Sequence, residues 1–303
     1  MTEKIIFDCD NTMGIPFKEV DDGLTLLYLL GVDEIKILGV TTTFGNGTIN
    51  QTYRQTHKLA QQMNLEFPIL QGEGQRGQNP DTPAAHFLVN SVNQYPHQLS
   101  ILTTGPVGNL RAANQLDPDF YYKVKRVVAM GGYLRSHGAQ SISPKGIKLG
   151  YRYLHELNFS ANPEAAIEML HARCPVTVFP GQVCLQAACT HKNIKEALWW
   201  PRKLRRILTQ WLITFGLYCG VPEFYLWDLL PAVYLTNPNL FETIAFPLGS
   251  TMQDLKDGLL IKNPDPKAPF IQVGMSICNP TDFYSNLSAA WQRTAKNFPP
   301  PQL

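Results

Sequence analysis

No stretch of this 303-residue chain stays apolar for the ~20 residues that a membrane-spanning helix needs. The greasiest, 207–221, is interrupted by Thr209, Gln210 and Thr214, so no membrane partner is expected. Charge is sparse, at 17% of residues, and nearly balanced: 26 Lys and Arg face 24 Asp and Glu, a net +2. That balance leaves no surplus for a polyanion, and nucleic acid is excluded as a partner. The one basic run, Arg202, Lys203, Arg205 and Arg206 beside Trp199 and Trp200, reads as a solvated helix face. Six cysteines occur without a Cys-x-x-Cys pair, which excludes a disulfide scaffold and points to reduced thiols in a cytoplasmic protein. Cys184, Cys189 and His191 lack the second pair that a zinc site requires. No secretory leader is expected, because Met1-Thr2-Glu3-Lys4 runs straight into a strand-like segment. Internal repeats and low-complexity linkers are also missing. What remains is 44% hydrophobic, ample for a core, and reads as one domain spanning 1–303.

The dominant rhythm is a short β-branched run followed by a helical stretch. Strands are expected at 4–8, 35–41, 100–103, 126–130 and 175–179. Helices are expected at 22–31, 51–62, 107–116 and 162–172, the last opened by Asn162 as cap and Pro163 at the first helical position. Alternation of this kind implies βαβ units in an open, mostly parallel, doubly wound sheet of the Rossmann-like α/β class, flanked by helices. From about residue 190 the pattern becomes a helical elaboration, through 192–217 and 227–235. Short strands at 259–261 and 271–276 precede a last helix at 281–296. Right-handed crossovers put the strand carboxyl ends on one edge, where ligands bind.

Acids gather at that edge. The segment Ile5-Ile6-Phe7-Asp8-Cys9-Asp10 ends a strand, and Asp21 and Asp22 open the following helix. Four carboxylates in one strand-loop-helix unit repel strongly without a cation, and a hard divalent ion with oxygen ligands relieves them. The plainer alternative is that Asp21 and Asp22 cap a helix while Asp8 and Asp10 are solvated. Thr41-Thr42-Thr43-Phe44-Gly45-Asn46, Thr103-Thr104-Gly105-Pro106 and Met130-Gly131-Gly132 end other strands with polar groups and free carbonyls. Glu156-Leu157-Asn158 precedes a helix start. Asp228 follows Trp227 in apolar surroundings, where an unpaired acid is costly.

Taken in order, these segments resemble the motifs of the nucleoside hydrolase family, the inosine/uridine-preferring type. The family's opening Asp-x-Asp-Pro-Gly-x-Asp-Asp is matched by Asp8-Cys9-Asp10 and Asp21-Asp22. Its Thr-Thr-x-x-Gly-Asn is matched by residues 41–46, its Gly-turn by residues 103–109 and its Met-Gly-Gly by residues 130–132. Glu-Phe-Asn and Asp-Pro-Glu-Ala-Ala correspond to residues 156–158 and 162–166, and the late His-Asp-Pro becomes Trp227-Asp228-Leu229. The resemblance implies hydrolysis of the N-glycosidic bond of ribonucleosides to free base and ribose, in nucleoside salvage. It implies calcium (Ca²⁺) held by Asp10, Asp22, Asp228 and the backbone carbonyl of Thr104, with Asp10 as general base on a calcium-bound water. Asp21, Asn46, Met130, Glu156, Asn158 and Asp228 would contact the ribose, and a homodimer or homotetramer is implied.

Three departures stand out. Ten residues, 11–20, separate Asp10 from the Asp pair, where the family has three. The family's His-Gly-(Asp/Glu)-Gly segment is missing between Gln71 and Leu99, where the chain has Pro80-Asp81-Thr82-Pro83-Ala84-Ala85-His86. Trp227 replaces a histidine that assists the leaving group; tryptophan can stack and donate one hydrogen bond but delivers no proton at neutral pH. Tyr151, Tyr153, His155, Tyr225 and Trp227 are the candidate base contacts. Two rival readings remain: a nucleoside- or ribose-binding protein without turnover, and a haloacid-dehalogenase-like phosphatase with Asp8 as nucleophile. The Gly72–Gly77 run spells G-x-G-x-x-G but leads into Gln78-Asn79-Pro80 instead of a helix, so it is not read as a dinucleotide site.

Overall fold

The computed structural model describes residues 2–137, 140–142, 146–197 and 200–297; Trp199, named above with the basic run, lies outside them. The central sheet has eight strands: β1 (Glu3–Cys9), β2 (Ile35–Thr42), β3 (Ile69–Gln71), β4 (Leu99–Thr103), β5 (Arg126–Met130), β6 (Val176–Phe179), β7 (Phe241–Pro247) and β8 (Phe270–Ile277). Their order across the sheet is β7-β8-β6-β5-β4-β1-β2-β3, and every neighbouring pair is parallel except β7 with β8. Helices α1 (Asp21–Leu30), α2 (Ile49–Gln62), α3 (Pro83–Gln94), α4 (Gly108–Leu116) and α5 (Pro163–Leu170) alternate with the strands. Later come α6 (Arg202–Cys219), α7 (Leu229–Thr236) and α8 (Pro280–Asn297).

This is the doubly wound α/β arrangement expected from the alternation of strands and helices. Both faces of the sheet are covered, so its strands read as nearly continuous apolar runs. In β1, Ile5, Phe7 and Cys9 join one apolar cluster with Leu24, Phe179 and Phe283. Ile6 joins the other, with Leu88, Ile101 and Val127. Asn162 caps α5 as expected, accepting from the Ala165 amide at 3.2 Å, with Pro163 at the first helical position.

The expected single helix at 192–217 is instead two, His191–Glu196 and α6. Pro201 lies between them in extended geometry and has no amide to continue the first. Of strands β1–β8 and helices α1–α8, three lie beyond the sequence expectations. β3 is a three-residue edge strand, too short to show alternation. β7 is an antiparallel edge strand carrying Glu242 and Thr243 within an apolar run. α3 fills the stretch that departs from the family pattern, started by Thr82, whose hydroxyl accepts from the Ala85 amide at 3.2 Å. Among the described residues no helix is long and apolar enough to cross a membrane.

Candidate active site

The strand order reverses between β1 and β4: β2 and β3 lie on one side of β1, and β4, β5 and β6 follow on the other. In open parallel sheets the crevice at such a switch point receives ligands. Asp10 leaves β1 there and Thr104 leaves β4, with the Thr104 amide donating to the Asp8 carbonyl at 2.9 Å. Asp21 and Asp22 form the first turn of α1, where the helix dipole favours negative charge. Asp228 arrives from the start of α7 without capping it.

All four carboxylates are buried. One oxygen each from Asp21, Asp22 and Asp228 lies within 4.8 Å of the others. Asp10 lies close against Asp22, and Asp21 against Asp228. Carboxyls packed this closely disfavour one another's charge. Burial accordingly pushes Asp10 and Asp21 up to about 7, with neighbouring acids adding to it. Burial also lifts Asp22 and Asp228 well above the usual carboxylate range, reinforced by Asp10 and Asp21 respectively.

Backbone and side-chain donors hold these acids in place. The Asn46 amide donates to Asp10 Oδ2 at 2.7 Å, and its side chain approaches Asp10 Oδ1 at 3.4 Å. Gly45, at φ +150°, makes that approach possible: a Cβ there would stand 1.9 Å from Asp10 Oδ2. Thr104 Oγ1 donates to Asp22 Oδ1 at 2.6 Å. Asn158 Nδ2 bridges the carbonyls of Thr104 (2.9 Å) and Met130 (3.0 Å). Glu156 is turned into its own chain, accepting from the amides of Gly132, Asn158, Phe159 and Ser160. Those amides oppose the upward push of burial on its carboxyl.

Asp21 Oδ1 is buried with no hydrogen-bond partner. A buried, unpaired carboxylate oxygen set among further carboxyls is what a cation would relieve. The hard oxygen donors of the cluster fit a divalent ion of the Ca²⁺ or Mg²⁺ kind.

Asp8 does not belong to this cluster, contrary to the four-acid reading of the segment. Its register partners are Thr41 on β2 and Thr103 on β4. Its carboxylate accepts from Thr41 Oγ1 (2.6 Å), Thr103 Oγ1 (3.2 Å) and Asn109 Nδ2 (2.7 Å). It is 0% exposed, so it joins strands to α4 and is closed to any substrate, which sets the phosphatase reading aside.

The ten-residue loop is tied down along its length. Thr12 Oγ1 donates to the Glu19 carbonyl at 3.1 Å, Gln55 Nε2 to the Met13 carbonyl at 2.7 Å and Lys18 Nζ to the Asn46 carbonyl at 2.7 Å. It also brings a fifth acid to the cluster: Glu19 bonds the Asn46 side chain, and burial together with the Asp21 charge pushes it up to about 8. Only its place in the loop signals Glu19 in the sequence. Nothing local in the sequence marks Glu73. It lies within the Gly72–Gly77 run, buried against Asn162 Nδ2 at 3.0 and 3.2 Å, and no helix follows that run until α3.

On the base side the candidates differ in setting. Trp227 is partly buried, with its ring centroid 5.4 Å from that of Tyr225. Tyr225 is buried and donates its hydroxyl to Glu223 Oε1 at 3.0 Å. His155 and Tyr151 are exposed. Cys184 and Cys189 are buried free thiols. Among the described residues Asp21, Asp22 and Asp228 are the one group of three potential metal ligands so closely set.

Buried acids gathered at the switch point of a parallel sheet, with the amide side chains of Asn46 and Asn158 beside them, make this the candidate active site of an α/β protein. The family model described as inosine-uridine preferring nucleoside hydrolase matches residues 5–285. The chain belongs to that family, whose members are nucleoside N-ribohydrolases. It is 25% identical to uridine nucleosidase 1 of Arabidopsis thaliana, over 95% of this chain and 88% of that one. It is 26% identical to a probable uridine nucleosidase 1 of Oryza sativa subsp. japonica, over 81% and 77%. Among solved structures, a purine-preferring ribonucleoside hydrolase from Gardnerella vaginalis has the same fold, with TM-score 0.82 at 21% identity, over 97% of this chain and 99% of that one.

Proposed function

We propose that this protein hydrolyses the N-glycosidic bond of ribonucleosides to free base and ribose in a calcium-dependent reaction. The observation that carries the reading is the buried meeting of Asp10, Asp21, Asp22 and Asp228, with Asp21 Oδ1 left unpartnered. Asp10, Asp22, Asp228 and the Thr104 carbonyl would hold the calcium ion. When bound, that ion supplies charge that acidifies water and grips the vicinal hydroxyls of the sugar.

The chain's own groups do the rest. Asp10, fixed by the Asn46 amide, accepts the proton of the attacking water. The surrounding carboxylates stabilise the positive charge that develops at the anomeric carbon as the base departs. Asp21, Asn46, Asn158 and the Met130 carbonyl orient the ribose hydroxyls, and Glu156 acts by shaping the turn that carries Asn158. Trp227 stacks on the base without protonating it. The relatives named for uridine and for purines make both bases reasonable substrates. We assign the protein to nucleoside salvage in the cytoplasm, acting as one domain within a homodimer or homotetramer.

Ribose release from inosine, uridine, adenosine and cytidine, with calcium or with a chelator, tests the reading. Turnover should need calcium and fall by about 10²–10⁴-fold in Asp10→Asn, the usual worth of a general base. Ribose release unaffected by Asp10→Asn would overturn the assignment. Tight nucleoside binding without ribose release would instead favour a binding protein, the alternative that Trp227 in place of histidine raises.

A further inference from the structure

The loop that joins Asp10 to Asp21 also contributes to a cavity of about 270 Å³, distinct from the acid cluster. Met13 and Gly14 of the loop meet Leu27 of α1, Leu59 of α2, Ile207 of α6 and Trp291 of α8 there. The floor is thus mainly aliphatic, with two indoles, Trp200 and Trp291, packed together at one side. Three cations, Lys58, Arg202 and Lys203, stand exposed at its rim, and no acid lines it. Among the described residues none of the three makes an ion pair.

The placement of Arg202 and Lys203 runs against helix electrostatics. They occupy the first turn of the 18-residue α6, where the dipole is positive and cations are unfavourable. That turn holds no acidic residue, and Pro201 offers no side-chain cap to its amides. Two like charges, a third from Lys58 and unsatisfied amides therefore converge beside an apolar hollow. A bound anion would offset all three costs at once.

We propose that this cavity binds an amphipathic anion, with its head at Lys58, Arg202, Lys203 and the first amides of α6. Its apolar tail lies on Leu59, Ile207 and Trp291. Drug-sized pockets begin at about 300 Å³, so the tail and head together amount to roughly a dozen non-hydrogen atoms. A medium-chain carboxylate matches that size and the mainly aliphatic floor.

Isothermal titration of the full chain with decanoate, 1-naphthoate and neutral decan-1-ol tests this directly, independently of any nucleoside chemistry. One equivalent of decanoate should bind saturably, with decan-1-ol about tenfold weaker or worse. Lys58→Ala combined with Arg202→Ala should weaken decanoate by about tenfold while leaving decan-1-ol unchanged. Ala295→Phe, which fills the hollow from α8, should abolish binding of every probe. Cooperative thermal unfolding of both variants shows that they are folded. Charge-dependent retention of decanoate, tighter than that of 1-naphthoate, supports the proposal, and a preference for 1-naphthoate counts against the aliphatic tail. Equal binding of decanoate and decan-1-ol, indifference to both variants, or no saturable binding by the folded protein would overturn it.

Discussion

Asp8 and Asp10 stand two residues apart in the chain, yet the sheet gives them separate environments. Asp8 is still inside β1 and fills its acceptors with Thr41, Thr103 and Asn109, whereas Asp10 has cleared the strand and meets Asp22. Asp8→Ala should therefore leave three buried donors unpaired and cost ~2–4 kcal/mol in chemical denaturation. It should spare the thermal shift that calcium gives, because Asp8 is not part of the cluster. Asp228→Ala should do the reverse, abolishing both turnover and the calcium-induced shift at modest cost to the fold. A calcium shift lost in Asp8→Ala but kept in Asp228→Ala would contradict the division of duties.

At the scale of elements, Glu73 and Asn162 connect the loop after β3 to the start of α5. Burial pushes Glu73 up to about 7 from an ordinary 4.5, partly held back by Asn162. The folded chain thus keeps a proton that the unfolded chain releases, and stability falls as pH rises from about 4.5 to about 7. Glu73→Gln should remove that loss, gaining ~1–2 kcal/mol over wild type at neutral pH and little below pH ~4.5, by denaturation at both ends of the range. The pair also shows where reading the chain stops. Strand and helix patterns located Asp10, Asp21, Asp22 and Asp228, because a strand end, a helix start and an acid in apolar surroundings are local signals. Which partners Asp8 finds depends on the neighbours of β1, and the meeting of Glu73 with Asn162 spans 89 positions; neither leaves a local trace. β7 and β3 were hidden for a related reason, since edge strands need no regular alternation.

Across the whole molecule, the acid cluster links pH to metal. Burial holds Asp10 and Asp21 at about 7 rather than 3.8, so these two groups favour the metal-free fold on the acid side. Their contribution should be lost as pH rises between about 4 and about 7. Calcium competes with the protons on these groups, so its stabilising effect should grow over that range. Scanning fluorimetry at several pH values, with chelator and with calcium, measures both trends; a calcium shift that shrinks with rising pH would contradict the linkage. The last helix bears on the cluster as well. Trp291 Nε1 donates to the Leu24 carbonyl at 3.0 Å and Thr294 Oγ1 to the Leu27 carbonyl at 2.6 Å, each across 267 positions. On the ribosome, then, the segment that carries Asp21 and Asp22 stays unroofed until α8, 267 positions further on, has also emerged. The acid cluster thus has to wait for α8 before it can mature.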